Sequence, residues 1–199
     1  MSLGVAASPR ARRLISRALV VCADHELNAS AFAVRVAASA GADLHACVSA
    51  GLATLSGPRH GGVVDRVEVL VTEVGQPARA QEVVQERARR GEEVPGFGHP
   101  LYPGGDPRAA LLIAAAIEHA PRSPRLRTIA AIIAAMRDAG REPPTLDIGL
   151  ASTGVALGLP PRTSVAMFAV GRAAGWVAHA FEQRAAGFLL RPRARYVGV

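Results

Sequence analysis

The sequence predicts an all-α fold, and three observations lead to that prediction. Apolar residues recur at intervals of three and four in almost every segment between Gly and Pro breaks, which is the pattern of a buried helix face. No segment alternates apolar and polar residues as a half-buried strand does. Small residues dominate the helix faces, as in GRAAGWVAHA at 171–180, and they favour close helix packing.

Four helices are predicted in the first half of the chain, over residues 23–40, 44–55, 63–74 and 77–90. The first is rich in Ala and Ser and ends at Gly41, which is a typical C-terminal residue. Asp43 is a typical N-cap for the second. The third carries valines and a leucine at helical spacing, and the fourth is polar with Pro77 in its first turn.

Four more helices are predicted in the second half, over residues 107–119, 124–139, 147–157 and 162–186. The last three end at Gly140, Gly158 and Gly187. Between the two halves, 95–107 (PGFGHPLYPGGDP) holds four Gly and four Pro and is predicted to be irregular. The basic end of the chain, 188–199, is also predicted to be irregular.

Length and composition exclude several classes of protein. A chain of 199 residues, 50% hydrophobic and 4% aromatic, can form one substantial core or two small lobes. Its longest apolar runs, such as 129–136, are shorter than the roughly 18 residues of a membrane-spanning helix. Because the N-terminus lacks the pattern of a signal peptide, we expect a cytoplasmic protein with no membrane partner.

Charge and cysteine content narrow the possible partners. The net charge is +7 and all 23 basic residues are Arg, which favours an anionic partner such as nucleic acid, a phosphorylated cofactor or a polycarboxylate. Cys22 and Cys47 belong to no CxxC pair, so buried reduced thiols are favoured over a disulfide or a metal site. We therefore expect no bound metal.

Three of the six histidines lie beside glycines or helix starts: His25 in CADHELNAS, His60 in GPRHGG and His99 in PGFGHPLY. A histidine in such a setting leaves its ring and backbone open to a ligand. The alternative for each is a loop histidine with a solvent or backbone partner. The other three, His45, His119 and His179, lack such settings and carry no functional prediction.

Two arginines and one aspartate stand in unusual positions. Arg108 follows Asp106-Pro107 in the first turn of a helix, where it either binds an anion together with free N–H groups or folds back on Asp106. Arg172 interrupts an apolar stretch, where it either pairs with an internal carboxylate or binds a ligand carboxylate. Asp147, in PPTLDIGL, is either an N-cap or a catalytic base.

The basic end of the chain carries Arg191, Arg193 and Arg195. These arginines form either a solvated end or a contact to nucleic acid. A nucleic-acid-binding domain has only this charge in its favour, because the sequence lacks a helix with clustered Arg and any aromatic platform for stacking bases. We therefore expect no nucleic-acid partner.

The motifs together resemble the citrate synthase family. ADHELNAS, GPRHGG, PGFGHPLY with DPRA, the Asp147 segment, GRAAGWVAHAFEQ and LLRPRARYVG occur in the order and approximate spacing of that family, over about residues 12–198. Its members are all-α homodimers about twice this long, with the active site in a cleft between a large and a small domain. The resemblance implies that 1–62 and 159–199 belong to the large domain and 63–158 to the small one.

The resemblance also implies a reaction, the condensation of acetyl-CoA with oxaloacetate to citrate and CoA, with acyl-CoA as a co-substrate rather than a bound cofactor. Asp147 matches the base, His60 the donor to the thioester oxygen, and His99 the residue that polarises the oxaloacetate carbonyl. The residues matched to oxaloacetate binding are His25, Arg108, Arg172 and, across the dimer interface, Arg191. The residues matched to CoA binding are Pro95, Gly96, Phe97 and Gly98.

Other functions remain open at this stage. A 2-methylcitrate synthase would use propionyl-CoA in the same site, and a citryl-CoA-cleaving relative would run the reverse chemistry. A non-catalytic, shortened paralogue would bind oxaloacetate or a full-length partner without turnover.

Overall fold

A computed structural model describes residues 8–198, which form nine α-helices and one 3₁₀ turn and contain no β-strand. The helices are α1 (Pro9–Cys22), α2 (Ala29–Ser39), α3 (Leu44–Leu55), α4 (Gly62–Val74), α5 (Ala80–Arg89), α6 (Pro107–His119), α7 (Pro124–Asp138), α8 (Leu146–Leu157) and α9 (Thr163–Ala186), and the 3₁₀ turn is Pro77–Arg79. One isolated bridge joins Phe97 and Pro144. The predicted all-α class is confirmed.

Helix caps lie where the sequence predicts them. Asp43 and Asp106 each accept a backbone N–H from the first turn of the helix that follows, at 2.8 and 3.0 Å. Gly158 and Gly187 end α8 and α9 with backbone φ of 64° and 70°, values that glycine adopts without steric cost. The helix predicted over 77–90 is the 3₁₀ turn followed by α5.

The predicted start of the helix over 23–40 is wrong. The helix begins at Ala29, because the side-chain oxygen of Asn28 accepts two backbone N–H groups of the first turn, both at 3.1 Å. A local cap of this kind starts the helix at the Ala-rich sequence that follows it and excludes residues 23–27. Residues 23–28 are therefore a turn, and this turn carries His25.

Helix α1 is not among the predicted helices, although the chain carries signals for it. Ser8 is the N-cap, its hydroxyl accepting the N–H of Ala11 at 3.1 Å, and Pro9 lies in the first turn. The buried residues of α1 recur at helical spacing and are Ala11, Leu14, Ala18 and Cys22. This apolar face packs α1 against the rest of the protein.

The core contains two main clusters of buried apolar side chains. One is formed chiefly by α4, α5 and α7, and the other chiefly by α1, α2, α3 and α9. Helix α8 contributes to both, with Ile148 in the first and Leu150 in the second. Because Leu150 and other residues of 63–158 pack in the second cluster, the clusters follow the predicted domain division only in outline, and the division stays a prediction.

Two glycines bring α9 close to the end of α1. A Cβ added at Gly171 would lie 2.8 Å from the backbone of α1, and one at Gly175 would lie 2.0 Å from the carbonyl oxygen of Ala23. Ala180 of the same string is buried as well, whereas Ala174 and Ala178 are exposed. The contact fixes the turn at 23–28 against α9.

Two further predictions concern cysteines and membranes. Cys22 and Cys47 are buried free thiols, as predicted, and burial raises the pKa of Cys22 to about 12. Within residues 8–198, no helix combines the length and apolar character that crossing a membrane requires.

We predict that Gly175→Ala destabilises the protein, because the new methyl group would overlap the Ala23 carbonyl oxygen. Overpacking of this kind costs about 1–3 kcal/mol, which corresponds to a Tm lower by roughly 2–10 °C in a chain of this size. Thermal unfolding followed by circular dichroism measures the change. Gly104→Ala is the matched control, because nothing lies within 4 Å of a Cβ at Gly104; equal Tm values for the two variants would contradict the prediction.

Candidate active site

One cleft of about 350 Å³ brings together side chains from separate segments of the chain. The predicted catalytic and substrate-binding residues that line it are His25, His60, His99, Arg108, Asp147 and Arg172. Three of the four residues predicted to bind CoA line it as well, namely Gly96, Phe97 and Gly98. Pro95 is buried outside this lining, and Arg191 lies in the exposed C-terminal segment.

His60 lies in the turn before α4, with its ring against α2 and α9. Its Nε2 lies 2.9 Å from the hydroxyl of the buried Ser30, and its ring meets Phe168 edge-on at 6.0 Å between centroids. Burial, together with the nearby charge of Arg172, lowers the pKa of His60 to about 4. The imidazole is therefore neutral at physiological pH, with Nδ1 left for a ligand.

The backbone sets the tautomer of His99. The N–H of Leu101 donates to His99 Nδ1 at 3.1 Å, so the hydrogen of the neutral ring is on Nε2. Burial and the charge of Arg108 lower the pKa of His99, which keeps the ring neutral. His99 therefore has one N–H, on Nε2, available as a donor in the cleft.

Arg108 pairs with the aspartate that caps its own helix. Its Nε and Nη2 donate to the two carboxylate oxygens of Asp106 at 2.9 and 2.7 Å, and its backbone N–H also donates to Asp106. The alternative in which Arg108 folds back on Asp106 is therefore correct, and Asp106 already accepts this N–H of the first turn. The guanidinium still lines the cleft, so it can contact a ligand as well.

Arg172 is buried without a carboxylate partner. Its Nε donates to the carbonyl oxygen of Cys22 at 2.6 Å, and its guanidinium lies 5.0 Å from the ring centroid of Phe168. Among the residues that the structure describes, no acidic group lies within salt-bridge distance of it, so the internal carboxylate predicted as one alternative is absent. Burial lowers the pKa of Arg172. The cleft therefore contains a guanidinium whose charge is not neutralised by an ion pair.

Asp147 is not an N-cap. The N-cap of α8 is Thr145, and Asp147 lies in the first turn, where the Thr145 hydroxyl donates to its Oδ2 at 2.8 Å. Burial raises the pKa of Asp147, while this hydrogen bond acts in the opposite direction. A carboxylate with a raised pKa is a stronger base than an exposed one.

The segment 95–98 forms one wall of the cleft by pairing with the start of α8. The N–H of Thr145 donates to Gly96 O at 2.8 Å, and the N–H of Gly98 donates to Pro143 O at 3.0 Å. Gly96 has φ 85°, and a Cβ there would lie 2.7 Å from a side chain of α4. Only glycine fits this position, which explains the glycine-rich sequence.

The basic C-terminal segment lies outside the cleft in a single chain. Arg191, Arg193 and Arg195 are exposed, as the solvated alternative predicts. The predicted role of Arg191 in a second subunit stays a prediction.

Three residues that were not predicted form hydrogen bonds with predicted site residues. Ser30 forms a hydrogen bond with His60, Thr145 with Asp147, and Tyr102 with His25 at 3.1 Å. Each of the three lies in one of the motifs ADHELNAS, PPTLDIGL and PGFGHPLY. Their position in a motif was therefore the sequence feature that could have indicated a role in the site. Arg59 also lines the cleft, directly before His60. Across residues 8–198, no three His, Cys, Asp or Glu side chains are grouped to hold a metal ion.

Comparison with known proteins identifies the family. The family model for the citrate synthase C-terminal domain matches residues 1–193. The chain belongs to the citrate synthase family. It is 34% identical over 200 residues to citrate synthase 2 of Bacillus subtilis, covering 96% of this chain and 52% of that protein. It is 38% identical to the citrate synthase of Haloferax volcanii, covering 91% of this chain and 49% of that protein.

The fold is also that of citrate synthases. The crystallised citrate synthase of Thermoplasma acidophilum superposes with a TM-score of 0.86 at 30% identity, covering 97% of this chain and 54% of that one. The chain thus spans about half the length of the citrate synthases it matches. The predicted citrate synthase-like all-α fold is confirmed.

We predict that Asp147→Asn stabilises the protein at neutral pH. Because the folded-state pKa of Asp147 is raised above its ordinary value of 3.8, proton binding stabilises the fold at low pH, and that stabilisation is lost as pH rises through the raised pKa. A neutral Asn avoids the loss, so Tm at pH 7 should rise by about 2 °C or more.

The pH dependence provides the decisive control. The advantage of Asp147→Asn should shrink as pH falls from 7 towards 4, where the wild-type carboxyl becomes protonated. Asp138→Asn, at an exposed position, should show no such trend. A Tm for Asp147→Asn that is lower than wild type at pH 7 would show that the carboxylate is stabilising and the direction of the shift is wrong.

Proposed function

We propose that this protein is a citrate synthase-type transferase that condenses acetyl-CoA with oxaloacetate to form citrate and CoA. The observation that carries the proposal is the convergence of three histidines, two arginines and one aspartate on a single cleft. Each of these residue types matches a separate requirement of the reaction. A cytoplasmic location, expected from the sequence, is part of the same proposal.

Oxaloacetate requires positive charge and hydrogen-bond donors. Arg172, which has no ion-pair partner among the described residues, and Arg108, which is already held by Asp106, provide two guanidinium groups for the two carboxylates. His25, whose pKa burial and Arg108 lower to about 4, is neutral and can donate one N–H to a carboxylate. Fixed donors of this kind orient the ketone for attack.

The ketone oxygen of oxaloacetate needs a donor that strengthens its interaction as negative charge develops. His99 supplies this donor, because the Leu101 N–H on Nδ1 keeps the hydrogen of the neutral ring on Nε2. The donor is set by the backbone, so it needs no reorganisation during the reaction. The carbon–carbon bond then forms between the acetyl methyl carbon and the ketone carbon, the ketone oxygen takes the Nε2 proton of His99, and His99 regains a proton from solvent.

The methyl group of acetyl-CoA is a very weak acid, so the base needs help. Asp147 takes the proton, and its burial makes the carboxylate a stronger base. His60 donates to the thioester oxygen through Nδ1, which stabilises the enol that forms. Hydrolysis of the resulting citryl thioester by water then releases CoA and citrate.

The structure of a relative supports the proposal that oxaloacetate and an acyl-CoA are the substrates. The Thermoplasma acidophilum citrate synthase was crystallised as a ternary complex with carboxymethyl coenzyme A and oxaloacetate. The wall formed by Gly96, Phe97 and Gly98 is proposed to contact CoA in this chain, and the buried Pro95 to support that wall. We further propose a homodimer in which Arg191 of each chain completes the site of the other.

We predict that the protein releases free CoA thiol from acetyl-CoA only when oxaloacetate is present. Asp147→Asn should lower the rate by about 10²–10⁴-fold, because general-base catalysis contributes that much. Asp138→Asn, which changes an exposed aspartate in the same way, should retain the wild-type rate. A thiol-reagent assay measures all three rates.

The same assay separates the alternatives. Faster release from propionyl-CoA than from acetyl-CoA would make the protein a 2-methylcitrate synthase. A rate equal to that of Asp147→Asn, together with a Tm raised by oxaloacetate, would overturn the catalytic proposal in favour of a binding protein.

We predict that Arg191 acts on the partner's site. Arg191→Ala and Asp147→Asn chains should each be nearly inactive, and mixing them should restore about a quarter of wild-type activity, since half of the dimers form and each has one complete site. Arg195→Ala, in the same exposed segment, should be active alone. Absence of rescue, when subunit exchange is shown by mixed dimers of tagged chains, would contradict the shared site.

A further inference from the structure

Tyr102 contacts three residues of the proposed oxaloacetate site without lining the cleft itself. Its hydroxyl lies 3.1 Å from His25 Nε2, and its ring stacks on the His25 ring at 5.5 Å between centroids and 28° between planes. The His99 ring lies 5.2 Å from the same ring, and the Arg108 guanidinium lies 5.2 Å from its centroid. One half-buried side chain thus supports both histidines and an arginine.

These contacts join two parts of the chain that are far apart in sequence. Tyr102 lies in the Gly- and Pro-rich segment before α6, and His25 lies in the turn between α1 and α2. Local turns hold the tyrosine in place, because its backbone N–H donates to His99 O at 2.9 Å and its carbonyl accepts the N–H of Gly105 at 3.0 Å. The ring is therefore a fixed support rather than a mobile surface group.

The hydrogen bond between Tyr102 and His25 can run in either direction, because a phenol oxygen accepts as well as donates. In the described part of the chain, His25 Nε2 is the one acceptor within hydrogen-bond distance of the phenol, so donation to Nε2 is the arrangement that satisfies the phenol hydrogen. In that arrangement the hydrogen of the neutral ring is on Nδ1. Nδ1 has no partner within residues 8–198, so its N–H is available to a ligand carboxylate.

We propose that Tyr102 is a positioning residue that fixes His25 as the Nδ1–H tautomer and holds Arg108 for the binding of a dicarboxylate. The tyrosine acts through these two side chains and does not touch the substrate. The proposal rests on the proposed function only for the identity of the dicarboxylate; the tautomer of His25 is a property of the ligand-free protein.

Arg108 is held from two sides. Its Nε and Nη2 donate to the two carboxylate oxygens of Asp106, and its central carbon lies over the ring of Tyr102. A guanidinium that is already ordered loses less side-chain entropy on binding an anion. Loss of the ring should therefore weaken binding more than loss of the hydroxyl.

One rival interpretation gives the opposite result. If the Tyr102 hydroxyl occupied the nitrogen that a substrate carboxylate takes, it would compete with the substrate. Removing the hydroxyl would then strengthen oxaloacetate binding, whereas the positioning role requires that binding weaken.

The first test is the tautomer of His25 in ligand-free protein, measured by long-range ¹H–¹⁵N NMR of the ¹⁵N-labelled histidines at neutral pH. His25→Gln assigns the signal. Wild type should show Nδ1–H, and Tyr102→Phe should shift the ring towards Nε2–H, the form favoured without the phenol donor. Tyr196→Phe removes the hydroxyl of the other, exposed tyrosine and should leave the signal unchanged. A His25 ring that is Nε2–H in wild type would overturn the proposal.

The second test separates substrate positioning from a structural role. By calorimetry, oxaloacetate should bind Tyr102→Phe about 3–10-fold more weakly than wild type, the usual effect of one lost hydrogen bond. Tyr102→Leu should bind it more weakly still, and in turnover both should raise KM for oxaloacetate while leaving KM for acetyl-CoA unchanged. Tighter binding by Tyr102→Phe, or equal rises in both KM values with a large fall in Tm, would overturn the positioning role.

The two tests also separate this proposal from the proposed function. If wild type neither binds nor turns over oxaloacetate, the proposed function fails, while the NMR result still decides the tautomer. If wild type is active and Tyr102→Phe matches it in both tests, the proposed function stands and the role of Tyr102 is excluded. Because Tyr102→Phe preserves the ring, the test does not depend on whether Tyr102→Leu folds.

Discussion

A single buried carboxylate, that of Asp106, connects the two helices that present the proposed catalytic machinery. It caps α6 through the N–H of Arg108, accepts two hydrogen bonds from the Nε and Nη2 edge of the Arg108 guanidinium, and accepts the N–H of Leu146 at the start of α8 at 3.1 Å. Burial alone would raise its pKa, but the arginine and these N–H groups lower it below the ordinary value, so the charge persists in the interior. The first turns of α6 and α8 are thereby held together, and Asp147 enters the cleft beside Arg108.

The electrostatics of the cleft follow from this arrangement. Asp106 already neutralises Arg108, whereas Arg172 has no salt bridge among the described residues. Burial lowers the pKa of both His25 and His60; the charges of Arg108 and Arg172 lower that of His25 further, and the charge of Arg172 does the same for His60. The histidines are therefore neutral donors and acceptors rather than cations. A cleft with uncompensated positive charge and neutral imidazoles that donate N–H groups favours the binding of a dianion.

The site residues that could be predicted from the sequence lie in short motifs that are recognisable on their own. The residues that could not be predicted are connected to the site by tertiary contacts. The motifs located His60 and Asp147. Local N-cap preferences also made Asp147 a possible N-cap, and the structure was needed to show that Thr145 is the N-cap of α8. The fold class followed from helical spacing, whereas the start of α2 depended on Asn28, an N-cap residue type directly before the Ala-rich run, which the prediction of a helix from residue 23 passed over. Tyr102 could not be predicted as a functional residue, because its hydrogen-bond partner, His25, is 77 positions away in the sequence.

The two histidines that donate hydrogen bonds in the proposed reaction differ in what fixes the position of the ring hydrogen. The backbone fixes the His99 hydrogen on Nε2, whereas that of His60 depends on the Ser30 hydroxyl. The Ser30 hydroxyl oxygen accepts the Trp176 N–H at 3.1 Å. The hydroxyl has one hydrogen of its own, which it donates either to Asn28 Oδ1 at 2.8 Å or to His60 Nε2. Only donation to His60 places a hydrogen on Nδ1. The donor for the ketone is thus permanent. The donor for the thioester requires rotation of the Ser30 hydroxyl towards Nε2 and, through solvent, exchange of the ring hydrogen from Nε2 to Nδ1; an acceptor oxygen opposite Nδ1 favours this state. The same rotation leaves Asn28 with its two backbone donors, so α2 keeps its cap in both states.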